Sequence, residues 1–183
     1  RIHRARQRLG FGKPFGAGAE GLHGQCRQRA RGEQALHAAR TRVLADLDVI
    51  APLFDTYRQF YGRAGDLPAA REFLRARFDH GESVLLLALV DGEPAGFAQL
   101  YPAFSSVALA RTFIVNDLFV AAGQRRQHVG ASLLRAAADH GRALGAVRLT
   151  LSTAIDNVTA QALYQSAGWQ RDQQFYVYHY PLP

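Results

Sequence analysis

Methionine is absent from the 183-residue chain, and cysteine occurs once, as Cys26. Without a methionine, Arg1 is not read as an ordinary initiator. A lone cysteine excludes an internal disulfide and fits a reducing compartment, so a cytoplasmic setting is expected. No stretch approaches the roughly 18 consecutive apolar residues of a membrane-spanning helix. No short apolar segment follows the basic start, so no secretory signal is expected. The seven histidines lack metal-ligand spacing, and no cysteine pair joins them, so neither a structural nor a catalytic metal is expected.

Net charge is also missing from most of the chain. The net charge is +7, yet residues 1–40 carry eight arginines and Lys13 against Glu20 and Glu33, which is the whole excess. Beyond residue 40 acids and bases balance, so that region has no basic face for nucleic acid. Residues 1–40 are rich in glycine and poor in phased apolar residues. They read as a basic extension with too little apolar surface to offset ordering, although a short helix near Gly32–Arg40 fits the composition. A nucleic-acid arm or a targeting peptide is the functional alternative for this segment, and nucleic acid is not the favoured partner.

From Thr41 onward the pattern is that of one globular domain, residues 41–183, and 48% hydrophobic content supplies an ordinary core. Thr41–Leu44 reads as a short strand. Asp46 and Asp48 open a helix carrying Ile50, Leu53, Phe54, Tyr57 and Tyr61 at helical spacing, with Pro52 expected near its first turn. Asp66 and Pro68 open a second helix over 67–78. Val84–Val90 is an apolar strand, Asp91-Gly92 a hairpin turn, and Gly96–Tyr101 the return strand. Thr112–Val120 is a further strand. A helix follows over about 130–144 and stops at Gly145. Val147–Ser152 is a strand, Val158–Ala167 a helix capped by Asp156 and Asn157, and Phe175–Tyr180 a last strand.

Two segments carry chemistry. The first is the loop Arg125-Arg126-Gln127-His128-Val129-Gly130-Ala131, which follows a strand and opens a helix. Free amide groups and the positive end of the dipole at a helix start, with two arginines beside them, suit a diphosphate; a solvated basic loop is the plainer alternative. The second runs from Asn157 to Trp169. Asn157 and Tyr164 are seven residues apart, about two turns or roughly 10 Å along one helix face. They could share a ligand, or serve merely as a cap and a half-buried aromatic. Asp117 stands alone in an apolar strand. Alternation puts it on one face with Phe119, and Leu118 with Val120 on the other. It is a candidate base; capping a turn or pairing with an arginine such as Arg148 is the alternative.

In this order and spacing the two segments resemble the GNAT acetyltransferase superfamily, over about residues 41–181. Arg125–Gly130 is similar to its Q/R-x-x-G-x-G/A motif, with His128 where the first glycine usually stands. Asn157-Val158-Thr159-Ala160-Gln161-Ala162-Leu163-Tyr164, followed by Gly168-Trp169, looks like its N-x-x-A-x-x-L-Y…G-F/W pattern. The resemblance implies a mixed α/β fold, a twisted sheet of about six to seven strands flanked by about four helices. Its fourth and fifth strands would splay apart. It implies acetyl-CoA as co-substrate, no metal, and transfer of the acetyl group to a primary amine. The pantetheine arm would pair with backbone groups of Leu118, Phe119 and Val120. The diphosphate would sit on Arg125, Arg126, Gln127, His128, Val129, Gly130 and Ala131, with Asn157 and Ala160 also beside the coenzyme. Tyr164 would hydrogen-bond the departing thiolate, and a strand amide would polarise the thioester oxygen. His128 is expected to keep its amide toward the ligand and turn its side chain outward.

Two other functions are weighed: a GNAT-like module that binds acyl-CoA without transfer, and a nucleic-acid-associated protein acting through its tail. Tyr57, Tyr61 and Arg63 are candidate linings of an acceptor pocket, and a homodimer through the late strands is a further expectation. A dinucleotide-binding fold would need its glycine-rich turn near the start of the domain, and the loop comes too late.

Overall fold

The computed structural model describes residues 36–41 and 46–182. The hairpin signal at Asp91-Gly92 is realised: both residues take left-handed backbone, φ 51° and 86°, as a tight turn between twisted strands needs. This turn joins β2 (Val84–Val90) to β3 (Glu93–Ser105). A second hairpin joins β3 to β4 (Ala110–Val120). β1 (Leu36–Thr41) pairs antiparallel with β2, and β5 (Arg148–Thr150) runs parallel to β4. The sheet order is β1-β2-β3-β4-β5.

Helices α1 (Leu47–Phe60) and α2 (Leu67–Asp79) precede β2; α3 (Val129–Ala143) and α4 (Val158–Ser166) flank β5 in sequence. The unbroken apolar run of β2 reflects burial on both faces. Leu86, Ala88 and Val90 pack with Val129, Leu133 and Ala137 of α3. Leu85 and Leu87 pack with Ile50, Phe54 and Leu74 of α1 and α2. Asp66 caps α2 by accepting from the Ala69 amide at 3.0 Å. Buried Asp55 ties α1 to the turn before α2, accepting from the Asp66 amide and the Gln59 side chain, each at 2.9 Å.

Several expectations are corrected. The first strand lies at Leu36–Thr41, so no helix forms from Leu36 to Arg40, and Val43 and Leu44 lie outside the described residues. Strand pairing decides this: β2, buried on both faces, has β1 on one side and β3 on the other. Residues 1–35, with Cys26, also lie outside the described residues. Pro52 sits in the second turn of α1. β3 is longer than the alternation suggested because the β3–β4 hairpin extends to Ser105 and Ala110. Among the described residues the sheet has five strands, not six or seven. Phe175–Tyr180, expected as the last strand, pairs with no other segment among the described residues. Its alternation favours an extended backbone, but a strand also needs a neighbour.

Gly96 marks a close approach that only glycine permits. A Cβ there would lie 2.5 Å from the Phe119 carbonyl oxygen, which is backbone and cannot swing aside. Gly96→Ala is expected to lower stability by about 1–3 kcal/mol, the usual cost of overpacking. A lowered Tm checks this.

Candidate active site

β4 carries one residue more than β3 can match. Gln99 stands opposite Asp117 and Leu100 opposite Val115, so Asn116 is a bulge. Before it, Phe113 and Val115 face α3; after it, Leu118 and Val120 do. Asp117 and Phe119 therefore turn to the α1–α2 face, as the alternation from Asp117 onward predicts. β4 pairs with β5 only from Thr112 to Ile114, while β4 runs on to Val120. Past Ile114 the two strands part, and β5 is shorter than the expected Val147–Ser152 for that reason.

Asp117 is buried at 6% exposure. The Asn116 amide donates to both its carboxylate oxygens at 3.2 Å, and the Tyr57 phenol lies within its reach. Burial raises its pKa above the ordinary carboxylate value, outweighing the Asn116 and Tyr57 contacts, which lower it. It neither caps a turn nor pairs with Arg148. Tyr57 is held well above its usual value by burial first and then by Asp117. Its ring meets Tyr61 edge-on at 5.1 Å and packs against Phe97 and Phe119. Tyr101 on β3 is raised by burial and by Asp117 as well. It lines an open depression of about 540 Å³ with Arg77, Glu82 and Pro102. Arg63, expected beside Tyr57 and Tyr61, is exposed between α1 and α2.

The loop after β4 ends in two left-handed residues, Arg126 (φ 62°) and His128 (φ 60°). His128 thus adopts the backbone a glycine would take, and its side chain is exposed and makes no cap bond. The Ser132 amide donates to the His128 carbonyl, the first bond of α3. The amides of Val129, Gly130 and Ala131 precede that bond and have no partner within the helix. Arg125 folds back, its Nε donating to the Val120 carbonyl at 3.3 Å. Arg126 is exposed. Gln127 turns inward and donates to Gln124 Oε1 at 3.1 Å. His128→Gly is expected to raise Tm, because histidine carries a left-handed cost of about 1 kcal/mol that glycine avoids. His128→Val is expected to lower it.

Gly130 brings α3 and α4 together: a Cβ there would meet Leu163 Cδ2 at 2.9 Å. The first turn of α3 thus lies against α4, one residue from Tyr164. Asn157 caps α4, its Oδ1 accepting from the Ala160 amide at 3.2 Å. The capping reading of Asn157 is therefore realised, and the Ala160 amide is engaged by it. Tyr164 is half-buried, with Trp169 at 6.4 Å. Burial raises its pKa, Tyr61 raises it further, and a hydrogen bond with Thr153 lowers it. Tyr61 lies near both Tyr164 and Tyr57, and it is Tyr57 that reaches Asp117.

Comparison with known proteins agrees with this geometry. The model of the acetyltransferase (GNAT) family matches residues 50–169. The chain belongs to the GNAT acetyltransferase family. Over 144 residues, 79% of this chain and 97% of the relative, it is 46% identical to a Bacillus subtilis protein described as uncharacterized N-acetyltransferase YhfO. A crystal structure of a probable acetyltransferase matches 80% of the chain and 99% of its own length, at 44% identity and TM-score 0.76. An aminoglycoside N-acetyltransferase, AAC(6')-Iy in complex with CoA, shares the fold at 18% identity and TM-score 0.67, over 85% of this chain and 100% of its own. The protein is an N-acetyltransferase of mixed α/β fold. No helix among the described residues is long and apolar enough to cross a membrane.

Sequence reasoning about this acetyltransferase missed Asn116, Gln99 and Tyr101. Asn116 gave no signal, because a bulge is invisible until the partner strand is known. Gln99 is fully buried, with Nε2 donating to Ser83 at 2.9 Å and Oε1 without a partner. A glutamine inside an otherwise apolar strand was the available clue. Among the described residues no group of histidine, cysteine or acidic side chains could hold a metal ion.

Proposed function

We propose that this acetyltransferase takes acetyl-CoA and passes the acetyl group directly to a primary amine of a small molecule or a protein. The reading rests on one observation, the packing of the uncapped first turn of α3 against the helix that carries Tyr164. The amides of Val129, Gly130 and Ala131 suit a diphosphate, with Arg125 and Arg126 supplying positive charge and His128 keeping its side chain outside. The stretch Leu118–Val120, paired with β3 but not with β5, offers the backbone groups of its open side to an extended pantetheine arm, between the parted strands. A strand amide there polarises the thioester oxygen. Asn157 contributes by fixing the start of α4, and Ala160 lies on its first turn.

An alkylamine, with a reference pKa near 10.4, is mostly protonated at neutral pH. Asp117 accepts the proton, directly or through water. The amine nitrogen then attacks the acetyl carbon, the carbon–sulfur bond breaks, the thiolate takes a hydrogen bond and then a proton from Tyr164, and the second proton shed by the nitrogen passes through water to the phenolate. The raised pKa of Asp117 brings it nearer the working range of a base. Tyr57, Tyr61 and Tyr101 surround the acceptor side with phenol groups and ring faces suited to an ammonium group.

The catalytic domain is proposed to begin with β1, and its setting to be cytoplasmic. Coenzyme A release from acetyl-CoA over a broad amine panel, with calorimetry of coenzyme A binding, tests the reaction. Turnover with at least one amine is expected. Coenzyme binding without turnover on any amine leaves a binding module instead, and no binding at all removes the reading.

Tyr57 provides a pH test. Its contact lowers the pKa of Asp117. In Tyr57→Phe the acid limb of kcat against pH is expected to move to higher pH, because the carboxylate then protonates more readily. An unmoved limb separates Asp117 from the titration.

A further inference from the structure

The turn between α2 and β2 carries a fixed pair of opposite charges that the acetyl-transfer chemistry does not use. Arg77 Nε donates to Glu82 Oε2 at 2.5 Å, and the Glu82 amide donates to the Arg77 carbonyl at 2.9 Å. The Arg77 guanidinium also lies over the Phe73 ring, 5.0 Å from its centre. These contacts hold both side chains in place without withdrawing them from solvent, since they are 31% and 50% exposed. Among the described residues, the terminal nitrogens of Arg77 and Oε1 of Glu82 hydrogen-bond to no other group.

The pair is anchored to the strand that faces Asp117. Ser83, next to Glu82, accepts at its Oγ from Nε2 of buried Gln99 at 2.9 Å. Gln99 stands directly opposite Asp117 in the β3–β4 pairing. Tyr101 lies two residues beyond Gln99 on the same face of β3, roughly 7 Å along the strand. It lines the depression of about 540 Å³ with Arg77, Glu82 and Pro102, and it feels the charges of Asp117, Arg77 and Glu82 together. The depression therefore sets a cation and an anion beside each other, a short chain's length from the carboxylate proposed as the base.

We propose that this depression holds the zwitterionic head of a free basic amino acid whose side-chain amine is the acetyl acceptor. The carboxylate of such a head matches the open fork of the Arg77 guanidinium, which presents parallel N–H donors. Its α-ammonium matches the free oxygen of Glu82. An extended lysine or ornithine side chain has the reach to carry its amine past the Tyr101 ring toward Asp117. A diamine leaves Arg77 without an anion, an amino acid lacking the α-ammonium leaves Glu82 without a cation, and a polycationic sugar sets like charge against Arg77. The reaction in this inference rests on the acetyl-transfer reading; the choice of acceptor rests on the Arg77–Glu82 pair.

The test compares kcat/KM for coenzyme A release with L-lysine, L-ornithine, cadaverine, 6-aminohexanoate and a blocked peptide holding one internal lysine. At least one of the two amino acids is expected to exceed each of the other acceptors by about tenfold or more, the scale of one lost contact to a charged group. In Arg77→Gln the advantage over cadaverine is expected to shrink by about tenfold, and in Glu82→Gln the advantage over 6-aminohexanoate by a similar factor, both mainly through KM. Amino acids turned over no better than cadaverine or the peptide overturn the proposal and leave acetyl transfer standing. An advantage that survives both substitutions also overturns it. Calorimetry separates the site from the reaction. With coenzyme A bound, L-lysine or L-ornithine is expected to bind the wild-type protein, and Arg77→Gln about tenfold more weakly. Coenzyme A binding without turnover of any amine removes the transfer reading, and this measurement then decides the site alone: binding that depends on Arg77 keeps it, and no binding removes it.

Discussion

Asp117→Asn is expected to lower turnover by about 10²–10⁴-fold, the range attributed to a positioned proton-transfer group, while raising the melting temperature at neutral pH. Both effects have one origin. Asp117 is buried, and burial raises its pKa despite hydrogen bonds that lower it. Its folded pKa therefore exceeds the unfolded value near 3.9, so the folded protein holds the proton more tightly than the unfolded chain does. The stabilisation is complete below the unfolded pKa and is lost as pH rises through the folded one. Wherever that carboxyl is ionised, the wild-type fold carries a buried charge that it would be more stable without. Asparagine is close in size and stays neutral, and Asn116 and Tyr57 can still hydrogen-bond to its oxygen. Melting curves against pH check the stability effect. The advantage of the variant is expected to shrink as pH falls and the wild-type carboxyl takes up its proton. An advantage constant with pH would point to packing instead, and unchanged turnover would remove Asp117 from the reaction.

Tyr164→Phe is expected to lower kcat by about 10²-fold or more while leaving the affinity for acetyl-CoA within about twofold. The hydroxyl is needed only as charge develops on sulfur, so the loss belongs to the transition state. The ring stays in place beside Trp169, and the α3 amides that suit the diphosphate are untouched. The pKa of Tyr164 is raised, chiefly by burial, so the phenol keeps its proton through neutral and mildly alkaline pH. It donates a hydrogen bond at rest and transfers the proton only as the carbon–sulfur bond breaks. Steady-state kinetics beside direct measurement of coenzyme affinity separates the two parameters. Equal turnover in variant and wild type would reject the role.

The elements with local signals were legible in the sequence. Asp66, Asn157 and the Asp91-Gly92 pair act through neighbours within a few residues, so their caps and turn could be read directly. At the α3 opening the His128 side chain lies outside as expected, and its backbone takes the left-handed form that a glycine at this motif position would allow. What required a distant partner was not legible. β1 lies in an arginine-rich stretch and is strand because β2 needs a neighbour there. Phe175–Tyr180 has every mark of a strand except a partner among the described residues. The tyrosines around Asp117 come from α1 and β3, far apart in sequence, and only the packing of α1 on the sheet brings Tyr57 to the carboxylate. Asn157 was readable as a cap, and the cap bond to Ala160 is what the structure contains.

The extra residue at Asn116 divides β4 into two halves of opposite phase. Side chains at even and odd positions exchange faces there, so one strand supplies core packing to α3 from Phe113 and Val115, and again from Leu118 and Val120. Between them it delivers an acid to the opposite face. Deleting Asn116 would leave the phase of the pairing unchanged, because Asp117 already stands opposite Gln99 and Val115 opposite Leu100. With the pairing held, Asp117 would follow Val115 in unbroken alternation and stay on the α1–α2 face, but the amide that donates to both its oxygens would be gone. The surplus residue therefore serves the chemistry as a donor and a local kink rather than as a switch of faces, and the acid keeps its side of the sheet through its pairing with Gln99.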